Sequence, residues 1–344
     1  MRSGRSSLRL RAPVVSADFS PFGLAIGHAT DHAGATGLTV VRGVDEPFRA
    51  GAAILGRATG TREFDVLSPH HLVDRVDAIV LTGGSAFGLA AAAGVMRWME
   101  ERDRGFPVGE GVVPIVPAAV IFDLAPLGSR LWPTADMAYQ ACDRARPVDV
   151  EEGSVGAGTG ATVGKGAGPL RAMKGGLGCS VQSAGPVVVG AIAVVNALGD
   201  VRDASGRIIA GARAGDGSFV DVAARLRTAA DIYTRFGAPP ATGPGNTTLA
   251  VVATTAAMTR VELCQLARAA GAALSRRITP VGTSFDGDVI FACAPLRGAT
   301  FPALHVEALA VSVLEEAIER SVRLARGRDG VPGLADSPAA SAAQ

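Results

Sequence analysis

Two stretches, Val187 to Val195 and Leu249 to Ala253, carry no polar side chain at any position, and this most limits what the chain can become. A strand with one wet face alternates apolar and polar residues, whereas a strand without that alternation suits burial between two layers. A layered fold with covered sheets is therefore expected. The 44 glycines, set against 12 Phe, 2 Trp and 2 Tyr, describe a core of Ala, Val and Leu crossed by turns and close backbone approaches.

Other elements follow from local pattern. Leu24 to Arg42 is strand-like and interrupted by Gly27, Gly34 and Gly37, as in a hairpin or a strand running into a functional loop. Asp77 to Thr82 is a further two-sided apolar strand, followed by Gly83-Gly84-Ser85-Ala86-Phe87-Gly88 and then a helix over Leu89 to Arg102. Pro114 to Phe122 reads as a strand, Arg146 to Gly153 as a surface connection, and Gly153 to Gly178 as glycine-rich chain without a helix. Thr259 and Glu262 form a capping box, and Leu263, Leu266, Ala267, Ala270 and Leu274 continue it as a helical stripe. Asp288 to Cys293 is a strand, and Leu304 to Arg326 a long helix with Val311, Leu314, Ile318 and Val322 on one side.

Neither a fixed-period repeat nor an internal linker divides the chain. One domain is expected over residues 14–326, between a disordered basic tail (1–13) and a disordered tail rich in Gly, Pro, Ala and Ser (327–344).

Charge and composition remove several function classes. Lys plus Arg (33) nearly cancels Asp plus Glu (32), so no global field draws in polyanions, and neither nucleic acid nor membrane is an expected partner. Met1 to Pro13 lacks the apolar run of roughly 7–15 residues that a secretory signal needs. The longest apolar stretch falls far short of the ~18 residues of a membrane span. A soluble, cytoplasmic protein is the expectation. Cys142, Cys179, Cys264 and Cys293 form no C-x-x-C pair and read as reduced, buried thiols. With no H-E-x-x-H or comparable cluster, no metal and no cofactor are expected.

Several motifs fail on spacing. The glycine run Gly156 to Lys165 would need glycine where Thr159 stands and a hydroxyl residue where Gly166 stands to be a P-loop. As a dinucleotide fingerprint it lacks the helix that should follow. Ser85 lies between strand and helix as a serine nucleophile would, yet the elbow G-x-S-x-G requires glycine at Phe87, and His28, His32, His70, His71 and His305 supply no general base by spacing. Capping of the following helix is the plainer role for Ser85.

The segment Thr242-Gly-Pro-Gly-Asn246-Thr247-Thr248 delivers a hydroxyl residue from a strained loop to the start of a buried strand. A threonine hydroxyl is a weak nucleophile at neutral pH, and an α-amino group with pKa near ~8 is one of few local bases able to activate it. Scission before Thr247 would supply that amine in register. Taken alone, Asn-Thr-Thr before a strand is also an ordinary turn, and Asp286-Gly-Asp288 also fits a hairpin turn.

The junction keeps particular company. Leu81-Thr-Gly-Gly-Ser-Ala-Phe-Gly-Leu89, Val116-Pro-Ala-Ala-Val-Ile-Phe-Asp123, Gly156-Ala-Gly-Thr-Gly-Ala-Thr-Val-Gly-Lys165, Met173-Lys-Gly-Gly176, Asn196, Gly245-Asn-Thr247 and Phe285-Asp-Gly-Asp288 stand in the order seen in the P1 peptidases. From about Gly23 to Arg326 the chain resembles that family, which includes the L-aminopeptidase/D-amidase-esterases, β-peptidyl aminopeptidases and nylon-oligomer hydrolases.

The resemblance implies an α+β fold, a four-layer αββα sandwich of the self-processing N-terminal-nucleophile type shared with the ornithine acetyltransferases. It further implies a precursor cut between Asn246 and Thr247 into residues 1–246 and 247–344, and a homo-oligomer of such cleaved pairs. By the same likeness Thr247 is the nucleophile and its freed amine the base. Asn196 matches the position associated with oxyanion stabilisation, and Lys165 a catalytic lysine. Asp286 and Asp288 match a pair that hydrogen-bonds the nucleophile and the new ammonium group.

Phe122 stands where several branches carry a tyrosine that assists substrate or oxyanion binding, and it joins Ser85 as an expected substrate-contacting residue. The implied activity is an aminopeptidase or amidase acting on short peptides or amide oligomers through an acyl-enzyme. Asn-Thr at the junction and Asp-Gly-Asp downstream look closer to the nylon-oligomer hydrolases. Substrate preference among α-peptides, β-peptides, D-amino-acid amides and ω-amino-acid oligomers stays open. So do two other classes: an acyltransferase to amine acceptors resembling the ornithine acetyltransferases, and a processed but weakly active binding protein.

Overall fold

The structure, a computed structural model, describes residues 17–124, 130–228 and 245–336. Its frame is two five-stranded sheets. The first contains β1 (Leu24–Asp31), β2 (Thr36–Gly43), β4 (Thr61–Arg62), β5 (Ala78–Thr82) and β6 (Ala118–Val120), in the order β1-β2-β5-β6-β4. The second contains β3 (Arg49–Ile54), β7 (Gly176–Ala184), β8 (Val187–Asn196), β9 (Thr247–Thr254) and β10 (Val289–Ala294), in the order β7-β8-β9-β10-β3. Each sheet has one parallel pair, β5 with β6 and β9 with β10, and its other pairs are antiparallel.

The apolar runs of β8 and β9 are explained by what lies on either side. Ile192, Val194, Leu249, Val251 and Phe291 share one apolar cluster with Ile26, Val41, Ile79 and Leu81 of the first sheet. The alternate residues, Val189, Ala191, Ala193, Ala250, Val252 and Ile290, share a second with two helices beyond the second sheet. Helix α1 (Ala92–Glu100) and helix α2 (Ala135–Arg144) cover the other face of the first sheet through Val95, Met99, Ala138 and Ala141 against Leu38, Val40, Ala78 and Val80. The helices beyond the second sheet are α4 (Arg260–Arg277) and α5 (Ala303–Arg323), and a short helix, α3 (Val222–Thr228), precedes them in the chain.

Each fully buried Val, Leu or Ile contributes about 1.5–3 kcal/mol. With both faces apolar, however, burial alone does not choose a register. The pairing of Val195 with Thr248 and of Asn196 with Thr247 is what brings the polar end of β8 beside the start of β9.

Several expectations hold and several need correction. The hairpin over 24–42 is present, and α4 begins with the full capping box, Thr259 accepting from the Glu262 N–H and Glu262 accepting from the Thr259 N–H. The helix expected from Leu89 starts instead as a 3-10 helix over Ser85–Ala91 that runs into α1. Ser85 does not cap it: Gly84 holds the cap position with no side-chain cap bond, and both residues sit at positive φ, 81° and 52°.

The strand expected over Pro114 to Phe122 is reduced to β6. The N–H groups of Ile115 and Val116 are taken by the carboxylates of Asp77 (2.8 Å) and Glu63 (2.9 Å), and Pro114 and Pro117 have none to give.

The expected C-terminal disorder is wrong for residues 327–336. Arg328 pairs with Val331, the Lys174 N–H donates to the Pro332 carbonyl (2.9 Å), the Arg328 guanidinium donates to the His32 carbonyl (2.6 Å), and Leu334–Asp336 forms a 3-10 turn. Its glycines and proline serve turns in a strap that returns to the body. Residues 337–344 and the basic tail over 1–13 lie outside the described residues.

Cys142, Cys179 and Cys293 are buried free thiols, as expected, whereas Cys264 is free but only partly buried. No helix among the described residues is long and apolar enough to cross a membrane.

Candidate active site

The junction singled out in the sequence lies where β8, β9 and the approach to β10 converge. Asn246 and Thr247 are both buried; Thr247 opens β9 opposite Asn196, and Asn246 makes a parallel bridge to Asp286. In the unbroken chain the Thr247 hydroxyl donates to the Asn246 carbonyl oxygen at 2.6 Å, and the Gly287 backbone N–H donates to the same oxygen at 2.8 Å.

Gly287 has room for no side chain. A Cβ there would lie 2.4 Å from the Ala58 carbonyl oxygen and 2.7 Å from Thr247 Oγ1. The segment is held in place by the Arg57 and Ala58 N–H groups, which donate to the Asp286 carbonyl at 2.8 and 3.0 Å.

Lys165 and Asn196 meet on the upstream side. Lys165 Nζ donates to Asn196 Oδ1 (2.6 Å), to the Asn196 carbonyl (3.1 Å) and to the Gly245 carbonyl (3.2 Å). The Thr162 N–H donates to the same Oδ1 at 3.1 Å, which settles which side of the amide is oxygen. Asn196 Nδ2 then points the other way, to the Phe122 carbonyl (3.1 Å) and the Gly245 carbonyl (3.4 Å). Burial lowers the Lys165 pKa to about 7, against the pull of Asp286 and Asp123. Three acceptors around one Nζ use all three donors of an ammonium group.

The two carboxylates are buried beside this cluster. Burial, then the neighbouring Asp286, pushes Asp288 up to about 7, although the Thr248 N–H donates to its Oδ1 at 2.6 Å. Asp286 is likewise raised by burial, while its bond from the Thr283 N–H (2.7 Å) and the charge of Lys165 oppose the shift. The expected bond from the nucleophile to this pair is not the one formed. With the peptide bond in place, the Thr247 hydroxyl turns to Asn246 instead.

Phe122 is half-buried and lies against Gly245, where a Cβ would fall 2.2 Å from its own Cβ. Ser85 is tied to this region through backbone alone, its N–H donating to the Ile121 carbonyl at 3.0 Å. The structure thus brings together Thr247, Asn246, Asn196, Lys165, Asp286, Asp288 and Phe122, with Ser85 one step removed.

Three supporting groups were not assigned roles from the sequence. Gly287 lies inside the Asp-Gly-Asp word, but it has no side chain to mark it. Fully buried Lys174 donates to the Thr159 and Ala161 carbonyls, both at 2.7 Å, and burial brings its pKa down to about 7. It gathers the glycine run so that Thr162 and Lys165 reach Asn196. Asp123 accepts from the Thr36 hydroxyl and the Gly84 N–H, both at 2.7 Å, and anchors the end of the Phe122 segment. Both residues lie inside the motif words quoted above, which was the available signal.

The family model described as Peptidase family S58 matches residues 22–334. An uncharacterized aminopeptidase of Mycobacterium tuberculosis is 43% identical over 280 residues, covering 76% of this chain and 73% of the relative. A 6-aminohexanoate-oligomer endohydrolase of Kocuria sp. is 30% identical over 292 residues, covering 84% of this chain and 75% of the relative. Among solved structures, the L-aminopeptidase D-Ala-esterase/amidase of Ochrobactrum anthropi, described as a variant of the Ntn hydrolase fold, is similar with a TM-score of 0.63. It is 20% identical and the match covers 92% of this chain and 89% of that one. A Burkholderia sp. beta-aminopeptidase matches with a TM-score of 0.63 at 20% identity, over 92% of this chain and 90% of that one. The mixed α/β architecture is therefore shared with neighbours of the Ntn hydrolase fold.

Proposed function

The chain belongs to peptidase family S58, and on that premise we propose that it is a self-processing amide hydrolase whose nucleophile is Thr247. The observation that carries the proposal is the meeting of the Thr247 hydroxyl and the Gly287 N–H on one carbonyl oxygen, that of Asn246.

In this reading Thr247 Oγ1 forms a bond to the Asn246 carbonyl carbon, the bond from that carbon to the Thr247 nitrogen breaks, and the hydroxyl proton passes to the nitrogen. The reaction is intramolecular, so proximity replaces a strong base. Charge on the Asn246 oxygen would be met by Gly287, and a single well-placed donor of this kind is worth about 3–4 kcal/mol. Water then hydrolyses the ester, leaving a carboxylate on Asn246 and a free amine on Thr247.

The freed amine serves afterwards as the base that takes the hydroxyl proton when Oγ1 attacks a substrate amide, and water resolves the acyl-enzyme. Asp286 and Asp288 would hold its ammonium form by charge-assisted hydrogen bonds. Lys165 fixes Asn196, whose Nδ2 is free to serve a substrate oxyanion once the Gly245 carbonyl has moved away. The chemistry calls for no cofactor.

We read the architecture as the four-layer αββα sandwich, supported by the three separate apolar clusters, and the products as 1–246 and 247–344 in a homo-oligomer of such pairs. Relatives named as aminopeptidases and as an amide-oligomer endohydrolase support amide bonds as the target.

Intact mass analysis of the purified protein tests this directly. Two polypeptides divided at Asn246–Thr247 are expected, with a single uncut and inactive chain for Thr247→Ala. Hydrolysis by a pure Thr247→Ala protein would overturn the proposal.

A further inference from the structure

Lys165 carries its ammonium group to Asn196 and to the Gly245 carbonyl from a very short element, the 3-10 turn Lys165–Ala167, with a glycine on each side of it in the chain. One hold on this turn is backbone pairing. The Gly164 N–H donates to the Gly199 carbonyl at 2.9 Å, and the Gly166 N–H to the Leu198 carbonyl at 3.0 Å. A second hold comes from chain that follows later in the sequence, where the two glycines meet two different residues. A Cβ on Gly164 would fall 2.1 Å from the Ala212 nitrogen, and one on Gly166 would fall 2.4 Å from Val222 Cγ1.

Ala212 and Val222 share one further partner. Their N–H groups both donate to the carboxylate of Asp200, at 2.8 Å to Oδ1 and 2.7 Å to Oδ2. Asp200 is 0% exposed, and it follows directly on Leu198 and Gly199, whose carbonyls make the first hold. Fit around it is close: a Cβ on Gly211 would lie 2.1 Å from Oδ1. A buried carboxylate is costly unless it is hydrogen-bonded, so its two acceptors fix the positions of both donors.

We propose that Asp200 is a positioning residue for Lys165: by holding the Ala212 and Val222 N–H groups, its carboxylate seats both residues against the glycines that flank Lys165, and so fixes where Nζ stands. The inference rests on the proposed part of Lys165 at the junction. Ionisation is essential to the seat. An amide of the same shape accepts at one atom only and turns a donor toward the other N–H.

Burial raises the Asp200 pKa to about 6, and the bonds from the Val222 and Ala212 N–H groups oppose the shift. The charged groups acting on it are Asp221, which adds to the rise, and Arg202, which opposes it; these two pair with each other at 3.0 Å. The ionised form, and the seat with it, is lost as pH falls through about 6.

Asp200→Asn should slow self-cleavage at about pH 8 by about tenfold or more, the loss of one bond to a charged acceptor, read by time-resolved mass analysis. Because lost stability alone slows a reaction, a local measurement decides. In the uncut Thr247→Ala protein, the backbone amide NMR signals of Ala212, Val222, Gly164 and Gly166 should titrate together with a midpoint near pH 6. The same midpoint should persist when Lys165→Met is added, which excludes the titration of Lys165 itself. This measurement needs no Asp200 variant, so it stands whether or not Asp200→Asn folds. Movement of Ala212 and Val222 with Gly164 and Gly166 unmoved would overturn the inference, as would loss of the glycine titration with Lys165→Met, or wild-type cleavage by folded Asp200→Asn. A wild-type protein that never cut itself, while its Thr247→Ala form showed the four amides titrating together, would sink the hydrolase reading and leave the seat in place.

Discussion

Gly287 and Thr247 meet at the carbonyl oxygen of Asn246, the first through its backbone N–H at 2.8 Å and the second through its hydroxyl at 2.6 Å. In the proposed reaction the first would polarise the bond and the second would attack it, and a single missing side chain lets them stand together. The smallest possible change should separate them.

Gly287→Ala would set a methyl group 2.7 Å from Thr247 Oγ1 and 2.4 Å from the Ala58 carbonyl oxygen. Moving the Asp286–Asp288 segment aside to relieve that clash also moves the N–H. Self-cleavage should slow by about 100-fold or more, the cost of losing one oxyanion donor. Time-resolved mass analysis of freshly purified protein measures it, with circular dichroism to check that the fold is kept. Cleavage at the wild-type rate would remove Gly287 from the reaction.

Lys165 and Asn196 should part company on stability while agreeing on activity. Asn196→Ala leaves a buried Lys165 without its 2.6 Å acceptor and should cost about 1–3 kcal/mol. Lys165→Met removes the buried charge together with its desolvation penalty, and stability should hold or rise. Both should impair processing. Thermal melts of the two variants in an uncut Thr247→Ala background decide the point, and equal losses would contradict it.

The Asp288 carboxyl gives a pH signature. Its folded pKa is raised from 3.8 to about 7, mainly by burial, so the folded chain favours the protonated form. That contribution is complete below pH 3.8 and is lost as pH rises through about 7. In the uncut Thr247→Ala background, adding Asp288→Asn should therefore confer a stability advantage that grows between about pH 4 and 7 and levels off above. Paired denaturation curves across that range would read it, and a pH-independent difference would show that Asp288 does not titrate there.

Thr259→Ala serves as a contrast. It removes the capping box of α4, which begins beyond the opposite end of β9 from the junction, and should cost about 1 kcal/mol. The melting temperature should fall by about 2–4 °C. The cleavage rate should not change, so a slowed cut here would mean that loss of stability alone mimics the effects assigned to Gly287 and Lys165.

How far the fold could be read in advance depended on whether a feature resides in side chains. The two-sided strands β8 and β9 were legible because burial on both faces erases alternation, and α4 because Thr259 and Glu262 announce its start. Helix α2 was not anticipated: its buried positions include only the small residues Ala138, Ala141 and Cys142, which make a weak stripe. The strand ending at Phe122 was read too long because carboxylates from distant Asp77 and Glu63 take its N–H groups, a competition that local pattern cannot reveal.

At the site, the residues with reactive side chains were nameable, and their grouping in space is now visible. Gly287 was not nameable, because its contribution is a backbone donor and an absence of bulk. Nor was the carbonyl clamp formed by Lys174, a task that any buried cation at the right depth could perform.

The second sheet has an implication for what happens after scission. Strands β9 and β10 would belong to the later polypeptide, while their flanking strands, β8 on one edge and β3 on the other, would belong to the earlier one. Neither fragment would own the whole of this second sheet, and α4 and α5, which cover it, would travel with the later fragment. The halves would be interleaved, so dilution should not part them. Melting and dissociation would be one event, and a severed backbone would change the ends available for chemistry while leaving the architecture as it was.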